Sequence, residues 1–462
     1  MARRGDLFKA VGSVAFWSFL LWADFFGVES AAQKASFDLF QRVFSPHYPT
    51  DNQDRLYVVL IEDQDLPLSG EGSPSWPPDY ADHAALLDAL AGSDDYRPAG
   101  VFFDILFENV PSDPGAVDLL CTEAAEISAA GVPVIFAQLP DFGRESAPIP
   151  RALQLCRTPV ETAAVGWRAP EGLYPFAVTI AGETIPTAAA ALYAIALENQ
   201  AAVDREAAAG FNEKGADGPA MRTLWGATSP AIAGCTNYRG DFGTKFLHSA
   251  RIFISGFFPH RRLRQDFEYP QRCSFHAVKS ARDILSLSPE ERDYLAAELD
   301  NAFVLVGVNV DGIPDFVDSP VHGRLPGVFM HAMALDNMLT SGPRFLRDSP
   351  KIPLPFGGLS LGVDAVVQTL LLLGLALALA GRGGPGDAAG AGHSGHCPRG
   401  RWAIGLAYNA AAFTLFGIVV AATVTATFLY LHWTPINYGG VLLVAAGMVF
   451  SKNPSDSAPR RR

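Results

Sequence analysis

Acidic side chains recur where the predicted strands of this 462-residue chain end. Glu62 and Asp63 follow the first apolar run, Asp104 follows the second, and Asp315 comes shortly after the last. The carboxyl ends of strands in an open α/β sheet meet at one edge, so these acids are predicted to form a ligand-binding mouth. Several carboxylate oxygens suit a divalent cation, and their charge also suits an amine. His331, on the helix after the last strand, is the fifth member of this predicted site.

Two other roles remain open for the same acids. Each could cap the helix that follows it or close a turn, and some could act as catalytic acids. The sequence contains no Walker A motif, no His-Glu-x-x-His and no Cys-x-x-Cys. Gly358-Leu-Ser360-Leu-Gly362 matches the nucleophile-elbow pattern, but it lies in an apolar stretch without the strand-turn-helix context that this chemistry requires. We therefore predict no enzymatic activity and no cofactor other than a candidate divalent cation.

The elements that must position these residues form an α/β domain. Apolar runs typical of strands buried on both faces occur at 55–61, 99–103, 132–139 and 302–307. Helical patterns follow three of these runs. This alternation predicts a mostly parallel or mixed sheet flanked by helices.

Four apolar stretches add a membrane component, one near the N-terminus and three close to the end of the chain. Because a helix needs about 20 apolar residues to cross the bilayer core, we predict four transmembrane helices. The predicted segments are a cytoplasmic stub with transmembrane helix 1 (1–30), an exterior domain (31–355), transmembrane helix 2 (356–381), a Gly-rich cytoplasmic loop (382–401), transmembrane helix 3 (402–432), transmembrane helix 4 (436–451) and a basic cytoplasmic tail (452–462). A cleaved signal peptide is the alternative for the first stretch.

The charge distribution predicts the orientation. The N-terminal stub, the Gly-rich loop and the tail together hold ten Lys or Arg against three Asp, a net charge of +7, which leaves −20 for the rest of a chain whose total is −13. Basic segments stay in the cytoplasm, so the acidic exterior domain is predicted to lie in the periplasm, anchored in a bacterial inner membrane. Its negative charge argues against nucleic acid as a partner.

Four of the five cysteines, Cys121, Cys156, Cys235 and Cys273, fall in the exterior domain. An even number in an oxidising compartment is compatible with two disulfides in any of three pairings, and free buried thiols are the alternative. We predict at least one disulfide, with Cys235 and Cys273 as the preferred pair because they flank a basic insertion (250–269). That insertion is predicted to be a solvated loop, with an anion or lipid-headgroup site as the alternative.

Several motifs of this chain occur in the same order in a known family. The closing part carries Phe303-Val-Leu-Val-Gly307, then Asp315, then Pro326-Gly-Val-Phe-Met-His331-Ala-Met-Ala-Leu-Asp336-Asn337-Met-Leu339. Earlier pieces are 58–63, Trp76-Pro77, Gly100-Val-Phe-Phe-Asp104 and Asn237-Tyr-Arg-Gly240. In these residues the chain resembles CHASE2 domains, which are bacterial extracytoplasmic sensor domains. Pro78 and Asp79 depart from the family's second Trp-Pro and the Arg after it.

The resemblance implies a receptor of a bacterial membrane signalling system that binds an unknown small ligand. Family members commonly continue into a kinase or cyclase domain, whereas this sequence stops soon after its last apolar stretch, so the output is expected from a separate effector or from a homodimer. Gly358 and Gly362 are predicted to form a small-residue face for helix packing in the second span. A periplasmic membrane-anchored enzyme, or a non-catalytic structural or transport subunit, are the alternative functions.

Overall fold

The computed structural model describes residues 28–68, 76–93, 95–111, 114–140, 149–167, 172–180, 183–199, 220–229, 241–257, 274–353, 360–380 and 398–450, together with residues 12 and 14–16. The chain divides into two units, which we call the α/β unit (41–346) and the helical unit (1–40 with 347–462). Helix α1 contributes residues to both.

The strands, in chain order, are β1 (Leu56–Glu62), β2 (Gly100–Phe103), β3 (Val134–Gln138), β4 (Glu161–Ala164), β5 (Leu173–Tyr174), β6 (Ala177–Ile180), β7 (Glu183–Pro186), β8 (Met221–Arg222), β9 (Ala277–Ser280), β10 (Phe303–Asn309), β11 (Phe316–Ser319), β12 (Gly323–Pro326), β13 (Lys351–Pro353) and β14 (Ser360–Gly362). The helices are α1 (Val28–Phe44), α2 (Tyr80–Leu90), α3 (Pro114–Ala129), α4 (Ala188–Asn199), α5 (Phe242–Phe257), α6 (Ala281–Leu285), α7 (Pro289–Glu298), α8 (Val328–Ser341), α9 (Val363–Ala380), α10 (Pro398–Leu431) and α11 (Tyr438–Phe450).

A six-stranded sheet with the order β4-β3-β2-β10-β1-β9 forms the centre of the α/β unit, and every neighbouring pair in it is parallel. The apolar runs predicted as buried strands correspond to β1, β2, β3 and β10, which confirms the predicted flanked, mostly parallel sheet. Strand β10 lies between β1 and β2, with Val306 paired to Val59 on one side and to Phe103 on the other. The strand of this sheet that comes last in the chain therefore lies at its centre.

The two faces of the sheet are covered by different helices, because successive side chains of a strand point to opposite faces. Val59, Ile61 and Phe103 belong to one large apolar cluster that also contains side chains of α2, α3, α6 and α7. Helices α4 and α8 pack against the strands on the other side. Phe102, one residue before Phe103, is fully buried beside His331 of α8.

One disulfide lies within the described residues. Cys121 of α3 is bonded to Cys156, with their Cα atoms 5.7 Å apart. Cys121 is buried in the apolar cluster and Cys156 packs against it. The predicted pair Cys235 and Cys273 lies outside the described residues.

Among the described helices, Ala407–Leu431 within α10 is long and apolar enough to cross a bilayer. Val363–Leu379 and Tyr438–Val449 are apolar but shorter, and most of the first apolar stretch lies outside the described residues. The prediction that Gly358 and Gly362 share a helix face is wrong for Gly362. That residue ends strand β14, which pairs with β13, and the helix begins only at Val363.

Candidate ligand-binding site

Asp104 occupies the carboxyl edge of the sheet immediately after β2. Its backbone N–H donates to the Val306 carbonyl at 2.7 Å, which continues the pairing of β2 with β10. Its side chain has the same strand parity as Phe102, so it points to the face that α8 covers. Asp104 is thereby almost completely buried.

His331 reaches Asp104 from the first turns of α8. Its Nε2 lies 3.7 Å from Asp104 Oδ2, and its Nδ1 lies 2.7 Å from the hydroxyl of Tyr174 on β5. The Tyr174 oxygen accepts the backbone N–H of Ala189 at 3.0 Å, so its own proton is available to His331 Nδ1. The Nε2 proton of this neutral tautomer then faces the carboxyl of Asp104.

The fourth group is Asp315, in the loop before β11. Its side chain lies over the Cα of Gly327, the residue that precedes α8, and a Cβ at position 327 would collide with the Asp315 carboxyl. The backbone N–H of Gly327 also donates to the Asp315 carbonyl at 3.1 Å. Glycine at 327 therefore lets the acid approach the start of α8. We call Asp104, Tyr174, Asp315 and His331 the Asp104 cluster.

Burial sets the protonation of this cluster. It raises the pKa of Asp104 well above its usual range, and the charge of Asp315 adds to that rise. Burial also raises the pKa values of Asp315 and of Tyr174. The pKa of His331 is lowered by burial to about 3. Although Asp104 and His331 are close enough for an ion pair, desolvation favours the neutral form of both, since a charge is costly where water is excluded.

Close packing between α8 and the sheet leaves little room for solvent around the Asp104 cluster. A Cβ added to Gly307 of β10 would lie 2.5 Å from Val328 Cβ at the start of α8, so the glycine permits direct contact of helix and strand. Phe102 and Trp167 place their rings 5.7 and 6.1 Å from the His331 ring. The predicted open mouth is thus a closed, aromatic-lined cluster in this state, in which only Asp315 is partly exposed.

Glu62 and Asp63 hold a turn at the same edge of the sheet and do not join the cluster. Glu62 Oε1 accepts the side-chain amide of Asn309 at 2.9 Å, and Asp63 Oδ2 accepts the backbone N–H of Asp311 at 2.9 Å. Asp65 closes the turn by accepting the Glu62 N–H at 3.0 Å. These acids fill the capping role that the sequence left open.

In the part of the chain that the structure describes, no three His, Cys, Asp or Glu side chains are arranged to hold a metal ion, and this includes those of the Asp104 cluster. An apolar groove of about 510 Å³ runs between α9 and α10 in the helical unit. Tyr408 is the single titratable side chain that lines it, so it offers no charged group for recognition.

A second buried polar group lies toward the other end of α8. Asp336 accepts hydrogen bonds from the Tyr48 hydroxyl at 2.7 Å and from Thr340 at 3.2 Å, and His276 Nε2 is 3.2 Å from its other oxygen. Asn337 donates to Tyr48 Oη at 3.1 Å. We call these five residues the Asp336 network. His276 Nδ1 is buried without a hydrogen-bond partner among the described residues.

The Asp336 network joins distant parts of the α/β unit. Tyr48 comes just after α1, and Asn337 also binds both backbone groups of Leu224, with each hydrogen bond 2.9 Å long. Helix α8 therefore contributes His331 to the Asp104 cluster near its start, and Asp336, Asn337 and Thr340 to the Asp336 network near its end.

The motifs of β1, β2, β10 and α8 are those of one family. The sequence model described as the CHASE2 domain matches residues 13–376, more than three quarters of the chain. The chain belongs to the CHASE2 domain family. CHASE2 domains are extracytoplasmic sensor domains of membrane proteins, which agrees with a sensor role for this chain. No curated protein and no solved structure matches it.

Sequence reasoning named three of the four residues in the Asp104 cluster of this CHASE2 chain and missed Tyr174. Tyr174 is not among the predicted site residues, and it lies 157 positions before His331 in the sequence. In the Asp336 network, Asp336 and Asn337 belong to the closing motif, but Tyr48 and His276 carried no signal. An aromatic or histidine residue in a short irregular segment has no periodicity that would mark it as buried.

Proposed function

We propose that this CHASE2 chain is the receptor of a bacterial membrane signalling system, with its α/β unit in the periplasm and four transmembrane helices in the inner membrane. The family membership, the candidate span at 407–431 and the two shorter apolar helices support this proposal. The excess of Lys and Arg in the stub, loop and tail supports the orientation.

The topology can be checked with two reporters. Green fluorescent protein fused after Arg462 is expected to fluoresce, because that end is predicted to be cytoplasmic. Alkaline phosphatase inserted after Asn212 is expected to be active, because this enzyme matures only in the periplasm. Exchanging the two reporters should silence both. If the same reporter were active at both positions, both would lie on one side of the membrane, which would contradict the four-helix arrangement.

The Asp104 cluster carries the proposal for the sensing step. Two acids with raised pKa values lie with a neutral histidine at the sheet edge where ligands of α/β proteins bind. A small cationic ligand could replace the proton on Asp104 and restore the charge of the carboxylate. Perturbed acids of this kind mark candidate functional sites.

Helix α8 is the proposed route for the signal. A ligand that separates Asp104 from His331 has to displace the start of α8, because Gly307 leaves no free space between that helix and β10. Displacement of a rigid helix would alter the Asp336 network at its other end. A binding event can shift a conformational equilibrium only by its difference in affinity for the two states. We propose that a separate effector or a second copy of the chain reads this change.

The cluster supports a binding function better than an enzymatic one. The hydroxyl nearest to His331 belongs to Tyr174, which is fully buried and whose pKa is raised by that burial. A catalytic nucleophile needs access to its substrate and an activated, deprotonated form. We therefore propose that the chain acts without catalysis of its own.

Thermal unfolding of the full-length protein in lipid nanodiscs tests the ligand site. Mg²⁺, Ca²⁺ and a linear diamine are the probes, and a probe that binds is expected to stabilise the folded state by about 2.7 kcal/mol at a hundred times its Kd. Since the cation displaces a proton from Asp104, its affinity should increase with pH.

Asp104→Asn and Asp315→Asn should abolish this stabilisation while the protein still folds. Asp63→Asn is the matched control, because that acid lies at the same sheet edge but accepts a backbone N–H. Equal stabilisation of Asp104→Asn and the natural chain would place the site elsewhere, and loss of folding in Asp104→Asn would make the acid purely structural.

A further inference from the structure

Helix α5 exposes an aromatic face among the residues that the structure describes. The side chains of Phe242, Phe246 and Leu247 are 75%, 57% and 60% exposed, and the rings of Phe242 and Phe246 stack with their centroids 6.3 Å apart. Single exposed apolar residues are normal on a protein surface, whereas adjoining large ones mark a surface that meets a partner or a membrane.

One edge of α5, next to Phe242, attaches the helix to the α/β unit. Ser249 is buried, its hydroxyl donates to the Val43 carbonyl at 2.7 Å, and His47 Nε2 lies 3.1 Å from the same hydroxyl. Ile252, three residues further along the helix, is also buried. Because residues three apart lie on the same side of a helix, Ser249 and Ile252 form one attaching edge. Phe242 lies at the border of this edge, with its ring centroid 5.7 Å from that of His47, and the exposed apolar face continues from there through Phe246 to Leu247.

The charges beside the face favour an anionic lipid surface as its occupant. Lys245 and the exposed Arg251 lie on α5, and three further arginines follow in the sequence at 261, 262 and 264. This basic segment stands out in a predicted exterior domain that is strongly acidic overall. An amphipathic helix with aromatic residues on one face and basic residues beside it is the composition of helices that lie in a membrane interface.

The attachment point agrees with that occupant. Val43 lies in the last turn of α1, the helix that follows the first apolar stretch of the chain. Helix α5 is therefore fixed to the segment that the predicted topology brings directly out of the membrane. A second protein copy would be disfavoured by repulsion between two basic faces.

We propose that α5 is an interfacial helix that inserts Phe242, Phe246 and Leu247 among the headgroups of an anionic membrane. Lys245 and Arg251 would bind the lipid phosphates. The inserted helix would hold the start of the CHASE2 domain against the membrane that anchors it.

Photo-crosslinking of the full-length protein tests this proposal. Benzoyl-phenylalanine replaces Phe246 in one sample, and replaces Tyr294 of α7, which is 78% exposed, in the control. Both proteins are placed in nanodiscs of phosphatidylglycerol and phosphatidylcholine, irradiated and analysed by mass spectrometry. We expect phospholipid adducts at position 246 and none at position 294. A crosslinked dimer, a lipid yield equal to that of the control, or no adduct at position 246 would overturn the proposal.

A charge test accompanies the crosslink. Lys245→Gln and Arg251→Gln are each expected to lower the lipid adduct at position 246 about fivefold in phosphatidylglycerol discs, because one basic residue near an anionic surface is worth roughly that factor. Both effects should vanish in discs of phosphatidylcholine alone. A yield that does not depend on these charges would overturn the assignment of an anionic membrane.

Discussion

Replacing Asp336 by alanine is expected to destabilise the α/β unit by about 3 to 5 kcal/mol, since removing one partner of a buried polar network leaves the others uncompensated. The side chains of His276 and Asp336 are 0% and 1% exposed. Without the carboxyl group, Tyr48 and His276 each lose a partner in a place that water does not reach, and the half-buried Thr340 loses one as well. A buried donor that is left unsatisfied costs about 1 to 3 kcal/mol.

Pulse proteolysis of the full-length protein in urea measures this loss. Asp318→Ala is the control, because this exposed acid on β11 should change the free energy of unfolding by less than about 0.5 kcal/mol. Asp336→Asn should fall between the two, since the amide keeps the shape and part of the hydrogen bonding. A loss below about 1 kcal/mol for Asp336→Ala would show that the network does not stabilise the unit.

Acidification is expected to reveal the burial of His331. The pKa of this side chain is about 3 in the folded protein and 6.5 in the unfolded chain. Below pH 6.5 the unfolded state therefore binds a proton that the folded state does not bind. Stability contributed by the neutral histidine is therefore present above pH 6.5 and is lost as the pH falls toward about 3. The loss is on the order of 5 kcal/mol, at 1.36 kcal/mol for each unit of difference in pKa.

The titration of Asp104 changes the free energy of unfolding with pH in the opposite direction. Its pKa is raised in the folded protein, so stability falls as the pH rises above the ordinary value of 3.8. His331→Gln should reduce the acid-dependent loss to the part that His83 contributes, because burial also lowers the pKa of His83, to about 4. Asp104→Asn should reduce the loss at higher pH, of which Asp315, whose pKa is also raised by burial, contributes the rest. Urea unfolding of the full-length protein at intervals from pH 3 to pH 8 measures both. Parallel pH profiles for the natural chain and His331→Gln would mean that the histidine is hydrated and titrates normally.

The central strands were predictable because their information is local. Continuous apolar runs at β1, β2, β3 and β10 favour strands that are buried on both faces, as they are inside a parallel sheet covered by helices. The excess of Lys and Arg in three short segments likewise predicts an orientation without any knowledge of the fold. Asp104, Asp315 and His331 could be named because strand ends and a family motif mark them.

Only the tertiary structure decided which acids form the candidate site. Glu62, Asp63 and Asp104 look alike in sequence, each following an apolar run. Glu62 and Asp63 meet hydrogen-bond donors of the neighbouring turn, whereas Asp104 meets α8 at a point where Gly307 permits close contact. An acidic side chain that meets a hydrogen-bond donor serves as a cap. One that is covered by an apolar surface instead has its pKa raised.

The pairing of residues far apart in the chain likewise could not be predicted from the sequence. Nothing local places β10 between β1 and β2, brings Tyr174 to His331, or joins Cys121 to Cys156. The stretch around Gly362 is another example, since its apolar composition predicts helix while pairing with β13 makes it a strand. The sequence by itself determined the apolar periodicity, the charge asymmetry and the family. The fold decided the contacts, because they depend on the packing of residues far apart in the chain, and the contacts in turn set the protonation of the cluster.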